Sequence, residues 1–241
     1  MFVREWGKGD KYAILIHGLA NSSLAWHKLA KDLVELGYHV IAPDLSGHGK
    51  SARKKEYSME DWSQEVLDMG YREPELLIGH SMGGLIAANI EETIGAKKTI
   101  LLDPVFRFPN GKLLSWGVQN IFGQIMKGTL TFRRANKRWA KRDSHILYAS
   151  IRQWDSMTIK ALKNNAKTVS RFLVTKGHVL LIRAKGSYIV PSNIKKKISG
   201  ENTQFFYINS GHNLHLDSYK EFFLTLHDFI STPKAALSIA E

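Results

Sequence analysis

Short apolar runs recur along the chain: YAILIH (12–17), HVIAPD (39–44), ELLIGH (75–80), KTILLD (98–103), HVLLIR (178–183) and TQFFYIN (203–209). They are nearly continuous in Val, Ile, Leu and Phe rather than alternating, which predicts strands of a sheet covered on both faces. Between them, 24–36, 58–69, 82–94 and 216–230 carry apolar positions at helical spacing, with Ser58 placed as an N-cap. Strand–helix alternation of this kind predicts an α/β fold with a doubly wound, mainly parallel sheet.

The rhythm breaks after Asp103. Residues 104–177 show little strand pattern, several amphipathic helical stretches, and Trp116, Trp139 and Trp154. The expected organisation is therefore a core of residues 1–103 and 178–230, a helical cap at 104–177, and a tail at 231–241. Such a cap is expected over the carboxyl ends of the strands, where sheets of this type place their sites.

Charge follows the same division. The chain of 241 residues carries a net charge of +12. Between Arg107 and Lys176 there are 15 Lys and Arg against Asp143 and Asp155, or +13, which leaves −1 on the rest. That asymmetry raises a substrate bearing a carboxylate or phosphate, set against the plainer reading of a solvated helix surface. No nucleic-acid recognition motif accompanies the charge, so no specific nucleic-acid partner is expected. Cysteine is absent, which excludes disulfides, a thiolate nucleophile and Cys-based metal sites. The apolar runs are far shorter than the roughly 20 residues of a membrane span. The opening MFVREWGKGDKYAILIHG lacks a long apolar leader core, so a cytoplasmic location is expected.

The strongest local signal is LLIGHSMGG. Gly79-x-Ser81-x-Gly83 follows one predicted strand and opens a predicted helix, the context a nucleophile elbow requires. There the Ser81 hydroxyl would be lifted from the sheet edge, and the Met82 N–H would point back at a reacting carbonyl. A serine needs a base, and FFYINSGHNLHLD offers His212 in a Gly-containing loop after the last strand. His215 is its neighbour, at the start of the final helix, where a structural role is expected. LIHGLANSS supplies a His-Gly turn that could present the Leu19 N–H as a second oxyanion donor, with His17 bracing the loop.

The order HG, PDLSGHGKS, GHSMGG and SGHNLHLD resembles the α/β-hydrolase superfamily over 12–102 and 178–230. The resemblance implies a Ser–His–acid hydrolase working by acyl transfer without cofactor or metal, on a small ester-like substrate. It also implies loop-shaping rather than catalytic roles for Asp44 and His48. Relatives usually carry the triad acid after the strand read here as HVLLIR. This chain has AKGSYIVPSNIKKKISG there, with Tyr188 where an Asp would be expected and no Asp or Glu from 178 to 200. Some branches of the superfamily carry the acid at the end of the strand following the nucleophile's strand. Asp103 holds that position and is the expected acid, although Asp-Pro is also an ordinary strand-ending pair. Asp143 and Asp155 are weaker candidates. The expected function is hydrolysis of a carboxylic ester, lactone or thioester by Ser81, His212 and Asp103. The alternatives are C–C bond or N-terminal peptide hydrolysis on the same fold, or a ligand-binding protein that hydrolyses weakly.

Overall fold

The computed structural model describes residues 1–106, 139–165, 173–174, 177–187, 189–196, 198–199 and 202–232. A seven-stranded sheet runs through it in the order β1-β3-β2-β4-β5-β7-β9. Its strands are β1 (Phe2–Trp6), β2 (Tyr12–Ile16), β3 (His39–Asp44), β4 (Leu76–His80), β5 (Lys98–Leu102), β7 (His178–Ala184) and β9 (Thr203–Ile208). All neighbours are parallel except β1, which pairs antiparallel with β3. The six predicted runs are the six parallel strands. A separate pair, β6 (Leu173–Val174) and β8 (Ile198–Ser199), forms a small parallel ribbon.

The edge strand β1 escaped the sequence reading because Arg4 and Glu5 interrupt its apolar run and none of its residues is fully buried. Antiparallel pairing with β3, rather than apolar content, holds it in place.

Helices cover both faces, as continuous apolar strands demand. One face buries Trp62 and Val66 of α2 (Met59–Leu67) and Met82, Ile86 and Ile90 of α3 (Met82–Ile94) against Ile14, Leu77 and Leu101. The other buries Leu29 and Leu33 of α1 (His27–Glu35) and Phe222, Leu226 and Phe229 of a C-terminal helix against Leu15, Ile78 and Leu180. The predicted cap at Ser58 is present: its Oγ accepts the Asp61 N–H at 2.9 Å. The predicted helix 24–36 begins as a 3-10 turn (Ser23–Trp26) before α1.

Of the inserted segment, residues 139–165 contain α4 (Lys141–Gln153) and α5 (Thr158–Asn165); residues 107–138 lie outside the described part. Helix α4 packs on the 3-10 turn and α5 on α2. Polar contacts fasten them to core loops: Ser22 Oγ to Ser150 Oγ at 2.7 Å, His27 to Asp143 at 3.2 Å, and the Tyr57 hydroxyl to Asp155 at 2.8 Å. Asp143 and Asp155 thus have structural partners away from His212. After His212 the predicted helix 216–230 is split at Ser218 into a single turn, α6 (Leu214–Asp217), and the long α7 (Tyr219–Ser231). Among the described residues no helix is long and apolar enough to cross a membrane.

Candidate active site

Register alone brings two of the predicted residues together. His80 of β4 pairs with Leu102 of β5, so the residues that follow, Ser81 and Asp103, leave the sheet side by side. The chain is anchored there by the Ser81 N–H donating to the Leu102 carbonyl at 2.9 Å. The turn at Ser81 depends on two missing side chains. A Cβ on Gly79 would fall 2.1 Å from the Gly83 carbonyl oxygen, and one on Gly83 would fall 2.2 Å from that of Ile16. With both positions bare, α3 starts directly after Ser81, which sits at φ 55°, ψ −115°. Among the described residues, four non-glycines have positive φ, and Ala20, Ser81 and Asp103 are three of them. Backbone strain of this kind is held only where surrounding structure enforces it, and it concentrates at functional sites.

His212 arrives from the far edge, four residues beyond Ile208 at the end of β9. Its Nε2 accepts the Ser81 hydroxyl at 3.0 Å, and its Nδ1–H donates to Asp103 Oδ2 at 2.7 Å. Asp103 is wholly buried. Its second oxygen, Oδ1, accepts the N–H of Ala184 at 3.1 Å, while its own N–H donates to the Ile182 carbonyl at 2.8 Å. The carboxylate is thus pinned to the end of β7, the strand after which relatives were expected to carry the acid. Tyr188, in the loop that follows, lies outside the described residues. A carboxylate only accepts, so Asp103 fixes the proton on Nδ1 and leaves Nε2 free to receive one.

The His-Gly turn after β2 borders the serine. A Cβ on Gly18 would lie 3.1 Å from Ser81 Cβ and 3.0 Å from His80 Nδ1, so this turn runs close beside Ser81. His17 braces this turn, its Nδ1–H donating to the Gly18 carbonyl at 2.8 Å and its Nε2 accepting the Leu45 N–H at 3.1 Å. Met82 is the first residue of α3, where a backbone N–H has no partner within the helix. The helix dipole adds to its pull on an anion. Asp44 shapes a loop, as expected: it accepts the N–H groups of Ser23 and Lys50 at 2.6 and 2.8 Å. His48 is fully buried and bonds to the Ser46 carbonyl.

One residue was missed by the sequence reading. His80 is buried, and its Nε2–H donates to the backbone carbonyl of His212 at 2.9 Å. Its ring lies 4.7 Å from that of His212 and 4.6 Å from that of His215. It therefore touches the His212 loop and the Gly18 turn from the end of the strand that leads into Ser81. No spacing rule marks a histidine whose partner is a carbonyl more than a hundred residues away. His215 does not reach Ser81; it packs against Trp26 at 5.0 Å and serves the core. Burial holds His17, His48 and His80 below the usual histidine range and pushes His215 down to about 3. These imidazoles stay neutral around the serine, so they compete for neither its proton nor the charge of Asp103.

Comparison with known proteins bears on the family and the fold. Residues 13–224 match the Alpha/beta hydrolase family. A carboxylesterase of Bacillus subtilis (strain 168) is 22% identical over 233 residues, covering 88% of this chain and 89% of the relative. Lipase LipV of Mycobacterium tuberculosis is 30% identical over 112 residues, 43% of this chain and 41% of that protein. Among solved structures, the enol-lactonase from Burkholderia xenovorans LB400 superimposes with a TM-score of 0.75 at 16% identity, covering 96% of both chains. The strand order, the strained serine turn and the match across most of the chain make this protein a member of the alpha/beta hydrolase family.

Proposed function

We propose that the protein is a serine hydrolase of carboxylic esters, lactones or thioesters, with Ser81 as nucleophile, His212 as base and Asp103 as acid. The observation that carries this reading is the unbroken chain Ser81 Oγ–His212–Asp103, at 3.0 and 2.7 Å. In the reaction Ser81 Oγ attacks the carbonyl carbon while His212 Nε2 takes its proton. The N–H groups of Leu19 and Met82 hold the oxyanion of the tetrahedral intermediate. His212 then returns the proton to the departing alkoxide or thiolate, leaving an acyl-Ser81. A water gives its proton to His212, attacks the acyl carbon, and frees the carboxylic acid and the serine. Asp103 keeps the imidazole in the required tautomer and offsets its positive charge at each step.

The names of the relatives support ester and lactone carbonyls as the substrate class. A buried carboxylate bonded to His212 supports an active triad over a binding protein that hydrolyses weakly. The test is stoichiometric labelling by a fluorophosphonate, read by peptide mass spectrometry, alongside turnover of short p-nitrophenyl esters. Ser81 is expected to carry the label and Ser81→Ala to lose both signals. Folded protein that turns over no ester and takes no label at Ser81 would overturn the reading.

A further inference from the structure

Trp139 opens the described part of the inserted segment and is buried at 6% exposure. Its indole N–H donates to Asp217 Oδ1 at 2.5 Å. Asp217 closes α6, the single turn that begins two residues after His212. The N–H groups of Leu216 and Asp217 both donate to the Asn213 carbonyl, at 2.7 and 2.9 Å, so this turn is a short, stiff link. The other oxygen of Asp217 lies against the residue preceding His212: a Cβ on Gly211 would fall 2.6 Å from Oδ2. One carboxylate is thus wedged between the inserted segment and the His212 loop. His80 holds the same loop through the His212 carbonyl.

The indole ring has a second contact. Trp139 packs in an apolar cluster with Ala20, Ile151 and Trp154, bordered by Leu19 and Leu216. The indole thus belongs to the apolar cluster that borders the turn carrying Leu19 and reaches, through Asp217, the loop that carries His212. A hydrogen bond to a charged acceptor is about twice as strong as a neutral one, and here its donor side is buried. The sensitivity of acyl transfer is also high, since a misplacement of about 1 Å can cost about a hundredfold in rate.

We propose that Trp139 and Asp217 are a positioning pair that ties the seating of residues 139–165 to the placement of His212. This rests on the assignment of Ser81, His212 and Asp103 as the reacting groups. Neither member of the pair touches substrate in this account; both act through the His212 loop.

The experiment compares Trp139→Phe, Asp217→Ala, Asp217→Asn and the double variant W139F/D217A with wild type. It reads kcat and KM for p-nitrophenyl acetate, the rate of fluorophosphonate labelling of Ser81, and Tm. Phe keeps the ring and removes the donor. In W139F, kcat and the labelling rate are expected to fall together by about tenfold, with KM within about twofold of wild type. D217A should show the same fall, and the double variant no more than the deeper single. D217N keeps an oxygen for the indole and should recover most of the rate. Wild-type labelling in W139F and D217A, a loss confined to KM, or additive losses in the double variant would overturn the pairing. Either single variant reads it, so misfolding of one leaves the test intact. A wild-type protein that takes no label contradicts the triad assignment; equal labelling of wild type and both variants contradicts the pairing alone.

Discussion

Asp103 divides its carboxylate between the loop after β9 and the end of β7, Oδ2 to His212 and Oδ1 to the Ala184 N–H, and the β5–β7 register sets it beside the latter. A buried carboxylate with two charge-assisted partners is oriented more tightly than an exposed one. His80 does the equivalent work on the main chain of His212. Removing it would leave a carbonyl without its donor, a loss of about 1–3 kcal/mol for a buried group. His80→Leu is expected to lower kcat on p-nitrophenyl acetate by about tenfold. His80→Gln, which can still reach the carbonyl with an N–H, should stay within a few-fold of wild type. Equal losses in both variants, measured in protein of unchanged Tm, would show that ring packing and not the hydrogen bond matters. Ser81 and His212 were legible because each sits in a short glycine-bearing motif beside a predicted strand. Asp103 became legible only through the absence of any acid from 178 to 200, since Asp-Pro at a strand end has an ordinary structural use.

The elements that carry the site are the ends of β2, β4, β5 and β9, all pointing the same way because the strands are parallel. Those strands were legible from their apolar runs, and their helices from spacing and caps. Elements held by pairing or by tertiary contact were not. β1 has a mixed composition, β6 and β8 are two residues each, and the break at Ser218 reflects a backbone at φ −136°, ψ 48° that composition does not announce. Where local chemistry decides, its size can be stated. Ser58 satisfies one of the free N–H groups at the start of α2, so Ser58→Ala should lower the free energy of unfolding by about 1 kcal/mol. Urea denaturation measures this, and ester turnover at 25 °C should be unchanged because α2 lies away from Ser81. A loss of activity without loss of stability would contradict that separation.

Taken as a whole molecule, the chain buries an unusual set of neutral imidazoles around one end of its sheet. His17, His48, His80 and His215 are each at or below 4% exposure, and burial lowers the pKa of each. In the unfolded chain they titrate near 6.5. Above that pH they are neutral in both states and cost nothing. As pH falls below it the unfolded state binds protons that the folded state refuses, so stability declines. For His215, whose folded value lies at about 3, the loss amounts to roughly 2 kcal/mol between about pH 6.5 and 5. His215→Leu is therefore expected to flatten the pH dependence of unfolding over that interval, read by urea denaturation at half-unit steps. An unchanged slope would mean that His215 takes a proton in the folded state. The basic character of 107–176 is partly visible: Lys141, Arg142, Arg152 and Lys160 are exposed, while Trp139, Ile151 and Trp154 turn toward the core. The apolar side of the segment borders the Leu19 turn.

Asp103, at the end of β5, is the proposed acid of this site. Steady-state turnover of p-nitrophenyl acetate by Asp103→Asn, in protein shown by its Tm to be folded, tests it most directly. Asn preserves the shape and the Ala184 contact but allows the wrong tautomer of His212, and kcat should fall at least about a hundredfold. Turnover close to wild type would contradict the assignment and return the search for the acid to the rest of the chain.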